Sequence, residues 1–468
     1  MKSVLITLLI VSITVMAEDR IALDKKAKAE FLDLNFFYKG RGMVVTPDMI
    51  KFYDALKTTG VGTQVDEQIS KRWGFNTHDN KIVGLFNEPY KKMAMGVLGC
   101  VACHSGKAAG EFVIGLGNKN MDVGQVGSDA YIAQLLWGSL PRKNPEFKIA
   151  HKRAMEFVSV IKNKNINNLS QGLVPTSLVK SWFYDVTDTP IPLKFGRGQV
   201  KIPHLWGYGE KRKTGSFWDG FADGVLPGWA VAVELRGGQT PENIREYLDK
   251  VHHAEDALGH FFPPKYPFEI NTERAARGKH LFNQTCYKCH GTYERDSEGL
   301  PLFKSPKFIP HHVVKTDSER LDFVSDSFLE LIDINPLNDI MRYKDRAERR
   351  GYVAPRLWGI WSRFPYLHNA SVPTLMDLLS PGSTRPVVFD LNDAGERERF
   401  DEQNLGLKVN RDKKSWKYKM MAYQAKKGKR SIYDTSRDGH GNQGHEFKFY
   451  KDLTLEDKKD LIEYLKTL

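Results

Sequence analysis

The placement of cysteine constrains this chain most. The sequence has 468 residues and four cysteines, and all four lie in two copies of one pattern, Cys100-Val101-Ala102-Cys103-His104 and Cys286-Tyr287-Lys288-Cys289-His290. Cysteines three positions apart fall on one face of a helix. Both thiols of a pair can therefore bond the vinyl groups of one porphyrin while the adjoining imidazole reaches its iron. The pattern predicts two covalently bound haem c groups, with His104 and His290 as iron ligands.

Paired cysteines have three other common uses: a zinc site, a thioredoxin-like redox pair and secreted disulfides. A zinc site built from two such pairs usually has them close in sequence, whereas 182 residues separate Cys103 from Cys286. Thioredoxin-like chemistry would not need a histidine after both pairs. Haem attachment explains both histidines and uses every cysteine.

The amino terminus predicts export. Lys2 precedes an apolar run from Val4 to Met16, and the small residues Val15 and Ala17 stand three and one positions before a cleavage point. This pattern indicates a signal peptide over residues 1–17, and an uncleaved anchor is the alternative. No later run is long enough for a membrane helix, so we expect a periplasmic or secreted protein.

Composition is that of an ordinary soluble protein, with 41% hydrophobic and 27% charged residues. The formal net charge of +12 favours acidic partners, but charge alone does not separate a protein from nucleic acid or an anionic membrane. Together with the haem motifs, it leads us to expect a small redox protein as electron partner and no nucleic acid.

The length of the chain exceeds what one hydrophobic core usually serves. We expect a mainly α fold with two cytochrome c-like haem domains and long irregular loops, over residues 18–262 and 263–468. The boundary falls at the proline-rich stretch Phe262-Pro263-Pro264-Lys265. Each domain should end in an amphipathic helix, one with Pro241 at its first position and one capped by Thr454 with Asp457 three residues on.

A short internal repeat indicates duplication. Pro203-His204-Leu205-Trp206-Gly207 recurs as Pro355-Arg356-Leu357-Trp358-Gly359, in each case downstream of a haem motif. Farther on, Phe217-Trp218-Asp219-Gly220 aligns with Leu367-His368-Asn369-Ala370 if a length difference of two residues is allowed.

This alignment leads to a prediction for the first haem. The second copy has His368 where the first has Trp218, whose indole is a donor only and cannot ligate iron. If the copies are equivalent, Phe217 and Trp218 wall the first pocket as candidate catalytic residues. Such a wall suits bound oxygen or an apolar substrate, and an ordinary place in the core is the alternative.

Residues 411–430 carry nine Lys or Arg and one Asp. Such a stretch predicts an exposed excursion from the fold. It is either simply solvated or a docking surface for an acidic electron donor.

Several motifs resemble those of one superfamily. The segment from Trp361 to Leu375 is similar to the second-domain segment of bacterial di-haem cytochrome c peroxidases, and more closely to that of their rubber-oxygenase relatives. The other motifs that resemble the rubber-oxygenase branch are Cys103-His104-Ser105-Gly106-Lys107, Gly115-Leu116-Gly117-Asn118, Arg385-Pro386-Val387-Val388-Phe389 and Gly444-His445-Glu446-Phe447.

The resemblance implies different roles for the two haems. In these families the amino-terminal haem is reactive and the carboxy-terminal haem relays electrons. By the same resemblance, His445 matches a second ligand of the relay iron, with His440 and Met341 as fallback candidates and a surface role as the alternative. His368 matches a histidine placed beside haem propionates, so the resemblance assigns it to the pocket rather than to the iron.

One departure from the peroxidases concerns the first haem. They place a distal histidine shortly after the first motif, whereas here no histidine occurs between His104 and His151. This agrees with the oxygenase branch, where the first haem keeps an open face.

Three functions follow from these patterns as alternatives. The first is a di-haem oxidoreductase that reacts with a small oxidant, peroxide or dioxygen, at the amino-terminal haem. The second is a non-enzymatic electron-transfer protein with both irons fully ligated. The third is a haem-based sensor or binding protein, for which the sequence shows no output domain.

Overall fold

The computed structural model describes part of the chain, and the predicted signal peptide, residues 1–17, lies outside it. In the described residues, no helix is long and apolar enough to cross a membrane. The architecture is helix-rich with many small sheets. The described ranges are 20–33, 44–45, 70–78, 81–90, 93–129, 169–177, 184, 187–190, 196–208, 217–220, 222–224, 241–246, 248–297, 299–304, 307–324, 326–337, 341–343 and 350–468.

Helices and strands alternate irregularly along these ranges. Helical residues include 20–33, 70–73 and 123–129, and the bounded helices are Cys100–Cys103, Pro241–Glu246, Leu248–Gly259, Thr272–Gln284, Tyr287–His290, His311–Val314, Glu319–Asp322, Asp326–Ile334, Leu375–Leu378, Trp416–Lys426 and Leu455–Lys466. Short 3-10 helices span Ile360–Ser362, Gly382–Thr384, Arg397–Arg399 and Lys448–Lys451.

All strand pairs in the described residues are antiparallel. Val44–Val45, Met93–Leu98 and Leu85–Tyr90 form a three-stranded sheet in that order. The two-stranded pairs are Thr77–His78 with Lys81–Ile82, Ser105–Ala108 with Glu111–Ile114, Leu173–Pro175 with Gln199–Lys201, Ala222–Gly224 with Met341–Tyr343, Lys307–Pro310 with Gly351–Ala354, Val388–Asp390 with Ile432–Asp434, and Phe400–Asp401 with Gly406–Leu407.

The predicted starts of the closing helices are confirmed. One helix begins at Pro241, where the missing N–H of proline costs no intrahelical hydrogen bond. The last helix is capped by Thr454, whose hydroxyl accepts from the N–H of Asp457 while the Asp457 carboxylate accepts from the N–H of Thr454. This reciprocal capping satisfies two backbone donors that a helix start otherwise leaves unpaired.

The last helix crosses the helix Thr272–Gln284 at backbone contact. A methyl group added at Gly278 would lie 1.9 Å from the carbonyl oxygen of Asp460, so only glycine allows this approach. Phe282 and Leu461 are each 1% exposed beside the crossing. Because the helix Thr272–Gln284 runs directly into the second haem motif, the crossing holds that motif against the core.

The two segments aligned from sequence share a backbone conformation. Phe217 and Leu367 have φ of 67° and 66°, and Gly220 and Ala370 have φ of 64° and 59°. Positive φ is rare for residues other than glycine, so its recurrence at aligned positions supports the alignment and the duplication.

The strand before each repeat copy is hydrogen-bonded to the aligned segment of the other copy. The N–H of Lys201, two residues before Pro203, donates to the carbonyl of His368 at 2.7 Å. The N–H of Val353, two residues before Pro355, donates to the carbonyl of Trp218 at 2.8 Å. Each copy's strand therefore binds the segment of the other copy.

One hydrophobic cluster includes residues from both predicted domains. Trp206 and Trp358, equivalent positions of the repeat, are each 1% exposed within it, and the indole N–H of Trp206 donates to the carbonyl of Trp358 at 2.7 Å. The domain boundary at residue 262 stays a prediction, but the described residues on its two sides pack against each other.

Candidate haem sites

The first haem motif ends with an oriented histidine. The helix Cys100–Cys103 carries both cysteines, and the N–H of His104 donates to the carbonyl of Cys100 at 2.9 Å. Nδ1 of His104 lies 3.0 Å from the carbonyl oxygen of Pro203. Because a carbonyl only accepts, Nδ1 carries the proton and Nε2 keeps a lone pair that can bind a metal.

The second motif repeats this geometry. Nδ1 of His290, at the end of the helix Tyr287–His290, lies 2.9 Å from the carbonyl oxygen of Pro355. Pro203 and Pro355 are the first residues of the two repeat copies. Sequence reasoning detected the repeat but missed this role, although the recurring proline downstream of each motif was the available signal.

A glycine-rich loop closes around the first motif. The N–H of Gly115 donates to the carbonyl of His104 at 2.7 Å, and the N–H of Asn118 donates to the carbonyl of Cys103 at 2.8 Å. The Asn118 side chain donates to the carbonyl of Gly74 at 2.8 Å. The motif Gly115-Leu116-Gly117-Asn118 thus satisfies carbonyls that the short cysteine helix leaves open.

A cavity of about 340 Å³ opens at the second motif. Cys286, Cys289 and His290 line one side of it, and His445 also lines it. The remaining wall is mainly apolar, which suits the faces of a porphyrin. Among its apolar residues are Ile309, Leu357, Ile360, Leu379, Phe447 and Leu465.

His290 and His445 both line this cavity, and the distance between their rings suits two ligands of one metal ion. Their ring centroids are 6.2 Å apart. An imidazole nitrogen binds a metal at roughly 2.0–2.1 Å and lies about 1.1 Å from its ring centroid, so two imidazoles on opposite sides of one ion have centroids about 6.3 Å apart. The residues present therefore fit an iron held by both histidines, and the ligation itself stays a prediction.

The loop that carries His445 is held in place on several sides. His445 has a φ of 54°, its N–H donates to the carbonyl of Val314 at 2.7 Å, and its Nδ1 lies 2.9 Å from the hydroxyl of Tyr450. The Arg385 guanidinium donates to the carbonyls of Asn442 and Gly444, the latter at 3.0 Å. A strained conformation held by several contacts is typical of a functional position. Because Nδ1 contacts Tyr450, Nε2 is the ring nitrogen that could bind a ligand.

Both imidazoles are neutral near pH 7. Removal from water lowers the pKa of His290 to about 4, with repulsion from Arg363 and Arg356 as a smaller cause. It lowers the pKa of His445 to about 3, with repulsion from His290 next in size. A neutral imidazole is the form that binds metal, so no proton has to be displaced.

The fallback ligands are placed differently. His440 is fully buried, and its Nε2 lies 3.1 Å from the Ser170 hydroxyl while its Nδ1 lies 3.0 Å from the Gln199 amide nitrogen. Both ring nitrogens are thus occupied, and His440 does not line the cavity. Met341 begins the strand Met341–Tyr343, and its side chain lies outside what the structure describes.

His368 lies in the cavity wall with Nε2 already engaged. Its ring stacks on Tyr352 at 4.3 Å between centroids, and its Nε2 lies 3.1 Å from the Tyr352 hydroxyl. That hydroxyl donates to the carbonyl of Asp317 at 2.6 Å, so Nε2 of His368 must be the donor to Tyr352. Burial lowers the pKa of His368 to about 3. This agrees with a place in the pocket rather than on the iron.

The structure places Trp218 beside the second motif, where its side chain lines the cavity. Its indole N–H donates to the carbonyl of Lys201 at 3.1 Å. Phe217 beside it packs near the guanidinium of Arg320, 5.8 Å from the ring centroid. The hydrogen bond from the N–H of Val353 to the carbonyl of Trp218 holds this segment of the first copy beside the second motif. A catalytic role for Phe217 and Trp218 stays a prediction.

The fold and these sites have the features expected of a c-type cytochrome that binds haem c covalently. A protein-family model described as RoxA-like, cytochrome c-like matches residues 351–390. That segment holds the strand Gly351–Ala354, the orienting Pro355 and the cavity residue His368. The match supports the cytochrome c-like, RoxA-like family.

Two proteins of Sinorhizobium fredii are similar to this chain. Uncharacterized protein y4iM is 28% identical over 308 residues, which cover 57% of this chain and 64% of the relative. Uncharacterized protein y4iJ is 28% identical over 274 residues, which cover 46% of this chain and 43% of the relative. The chain thus spans less than two thirds of the length of either relative.

Proposed function

We propose that the protein is an exported, periplasmic or secreted, di-haem cytochrome with oxidoreductase activity. In this proposal the haem on Cys100 and Cys103 reacts with dioxygen or peroxide, and the haem on Cys286 and Cys289 relays electrons. The facing pair His290 and His445 carries the proposal, because an iron with two imidazole ligands passes electrons without binding substrate. Residues 1–17 would direct export.

The chain's own residues have defined tasks in this proposal. The haem supplies the redox chemistry when bound. The carbonyls of Pro203 and Pro355 hold the protons on Nδ1 of His104 and His290 and make these imidazoles better electron donors to the metal. The absence of histidine between His104 and His151, with the resemblance to the oxygenase branch, supports an open face at the first iron.

Carbon monoxide binding tests the division between the haems. We expect the reduced protein to bind one carbon monoxide per molecule, because the first iron has an open position and the second does not. Optical titration of the purified, reduced protein measures the ratio. No binding would favour the electron-transfer alternative, in which both irons are fully ligated. Two bound molecules would contradict ligation by His445.

An electron partner requires a docking surface, and the basic segment offers one. The helix Trp416–Lys426 buries Met421 and Ala425 against the sheet beneath it. Its opposite face exposes Trp416, Met420 and Tyr423 by 74%, 37% and 57%. Positions i, i+4 and i+7 share one face of a helix, so these three side chains form one apolar strip, which we name the 416 strip.

Exposed lysines surround the 416 strip. The two arginines of the segment are already paired, Arg411 with Asp377 and Arg430 with Asp122. The seven lysines of the segment form no ion pair within the part of the chain that the structure describes. They are Lys413, Lys414, Lys417, Lys419, Lys426, Lys427 and Lys429. An apolar centre with a charged rim is typical of transient protein docking, and we propose an acidic small redox protein as the partner.

Charge reversal tests this surface. The variant Lys413→Glu, Lys417→Glu and Lys427→Glu should transfer electrons with a small acidic ferredoxin at least about tenfold more slowly at low ionic strength, since steering by charge is worth roughly 10–10³ in association rate. Stopped-flow absorbance at several salt concentrations measures the rate. The rate should fall with rising salt in the wild type but not in this variant.

A control variant reverses three exposed lysines elsewhere, Lys25, Lys265 and Lys279. It has the same net charge, so it separates a local surface from overall charge. Equal slowing in both variants would contradict the assignment of the 416 strip as the docking surface.

A further inference from the structure

A cluster of buried cations lines the cavity of the second motif and a smaller cavity beside it. Lys201 and Arg363 line the large cavity of the second motif and also a smaller cavity of about 30 Å³. Lys119 lines the smaller cavity together with Asn118, whose N–H donates to the carbonyl of Cys103 in the first motif. Lys201 and Arg363 therefore stand in a wall that the two cavities share, and the smaller cavity adjoins the loop that contacts the first motif.

These cations have no acidic counterpart in the described residues. Arg363 is 4% exposed and Lys119 is 7% exposed, yet no ion pair with a carboxylate joins either of them or Lys201 in those ranges. Burial lowers the pKa of Arg363 to about 10 and that of Lys119 to about 7. It lowers the pKa of Lys201 well below its usual value, with repulsion from Arg363 and Lys119 as further causes. Buried like charges without a counter-ion oppose folding.

The hydrogen bonds of the cluster are incomplete. Nζ of Lys201 donates to the carbonyls of Arg363 and Pro365 at 2.5 and 2.7 Å, which leaves one of its three N–H groups. Nε of Arg363 is buried with no hydrogen-bond partner. A buried N–H without an acceptor is rare in native proteins. We therefore expect Nε of Arg363 to bind an acceptor that the described residues do not supply.

We propose that Lys201 and Arg363 form one carboxylate-binding site shared by both cavities, and that the propionate carboxylates of the two haems occupy it. The inference rests on the proposed function, because it requires haem at both motifs. A porphyrin joined to cysteines through its vinyl groups presents its propionates at the opposite edge. The same cavity holds Cys286, Cys289 and Arg363 in its wall, and charge-assisted hydrogen bonds to carboxylates are the strong ones.

A shared cation site has a functional consequence. A positive charge near a haem favours the reduced state, because reduction lowers the charge on the iron. One pair of cations that contacts both porphyrins would raise both midpoint potentials together, and a change at either cation would be felt at both haems.

Lys201→Met tests the site by potentiometry. Both midpoint potentials should shift downward in this variant, and Lys201→Arg should restore most of the shift. Lys279→Met removes the same charge from an exposed helix position, where water and salt screen it. A shift no larger than that of Lys279→Met, or a shift of one haem alone, would overturn the shared site.

Infrared spectroscopy of the wild type tests the occupant even where a variant fails to fold. Haem carboxyls can be labelled with carbon-13 through labelled 5-aminolevulinate. The label should shift carboxylate bands in the redox difference spectrum. The unlabelled positions of these bands should differ from those of solvated propionate. Label-sensitive bands at the solvated position would overturn the assignment.

Titration with acetate distinguishes the source of the carboxylate. If wild-type potentials follow acetate concentration, a free carboxylate occupies the site and the haem assignment is overturned. Independence from acetate supports it. Intact mass separates the two levels of failure: polypeptide without haem mass would refute the proposed function, whereas haem-loaded protein with unchanged potentials would refute only the shared site.

Discussion

Replacing His445 by alanine is expected to raise the carbon monoxide bound by the reduced protein from one molecule per chain to two. His445 faces His290 across the second cavity at a centroid distance of 6.2 Å, and its removal opens one coordination position of the second iron. An open haem position binds small ligands. In the oxidised protein, the low-spin signal of the second haem should become high-spin in electron-paramagnetic spectra.

His440→Gln is the matched control for this variant. His440 is also buried, five residues away, and both of its ring nitrogens have partners outside the cavity. Its substitution should leave the carbon monoxide ratio at one. An unchanged ratio in His445→Ala, or an equal increase in both variants, would contradict the placement of His445 on the iron.

Removing both cysteines of the second motif is expected to cost one haem mass and most of the stability of the fold. A cavity of about 340 Å³ left empty costs roughly 8 kcal/mol at about 24 cal/mol per Å³ if it does not collapse. That figure is comparable to the whole stability of a domain, about 5–15 kcal/mol. Cys286→Ala with Cys289→Ala should therefore accumulate poorly in a haem-attaching host and should carry one haem by intact mass.

Two comparison proteins make this result specific. Cys286→Ala alone keeps one thioether and should retain both haem masses. Cys100→Ala with Cys103→Ala should lose the other haem and keep the one at the second motif. Wild-type protein at the mass of the polypeptide alone would contradict haem attachment at either motif.

Features that depend on neighbouring residues could be predicted well. The spacing of Cys286, Cys289 and His290 spans five residues, and the cap formed by Thr454 and Asp457 spans four. Within such short stretches the backbone geometry of one helical turn decides which groups meet. The aligned segments at Phe217 and Leu367 could also be found, because they follow the two copies of the repeat at distances that differ by two residues.

Contacts between distant residues could not be predicted in this way. The carbonyls of Pro203 and Pro355 reach His104 and His290 from 99 and 65 positions away, and no local pattern announces such a contact. The place of Trp218 in the wall of the second cavity could not be predicted for the same reason. The repeat shows that two units are alike, but it does not show that each unit lends its segment to the other.

The sequence by itself determined the pattern that predicts haem attachment, which is four cysteines in two copies of one motif that each end in a histidine, and the helix starts around them. Tertiary structure alone decided which second groups face each motif. It brought His445 opposite His290, moved Trp218 to the second cavity and gathered Lys201 and Arg363 into a shared wall. The reason is physical, because attachment depends on spacing within one helical turn, whereas the surroundings of each site depend on how the two copies pack.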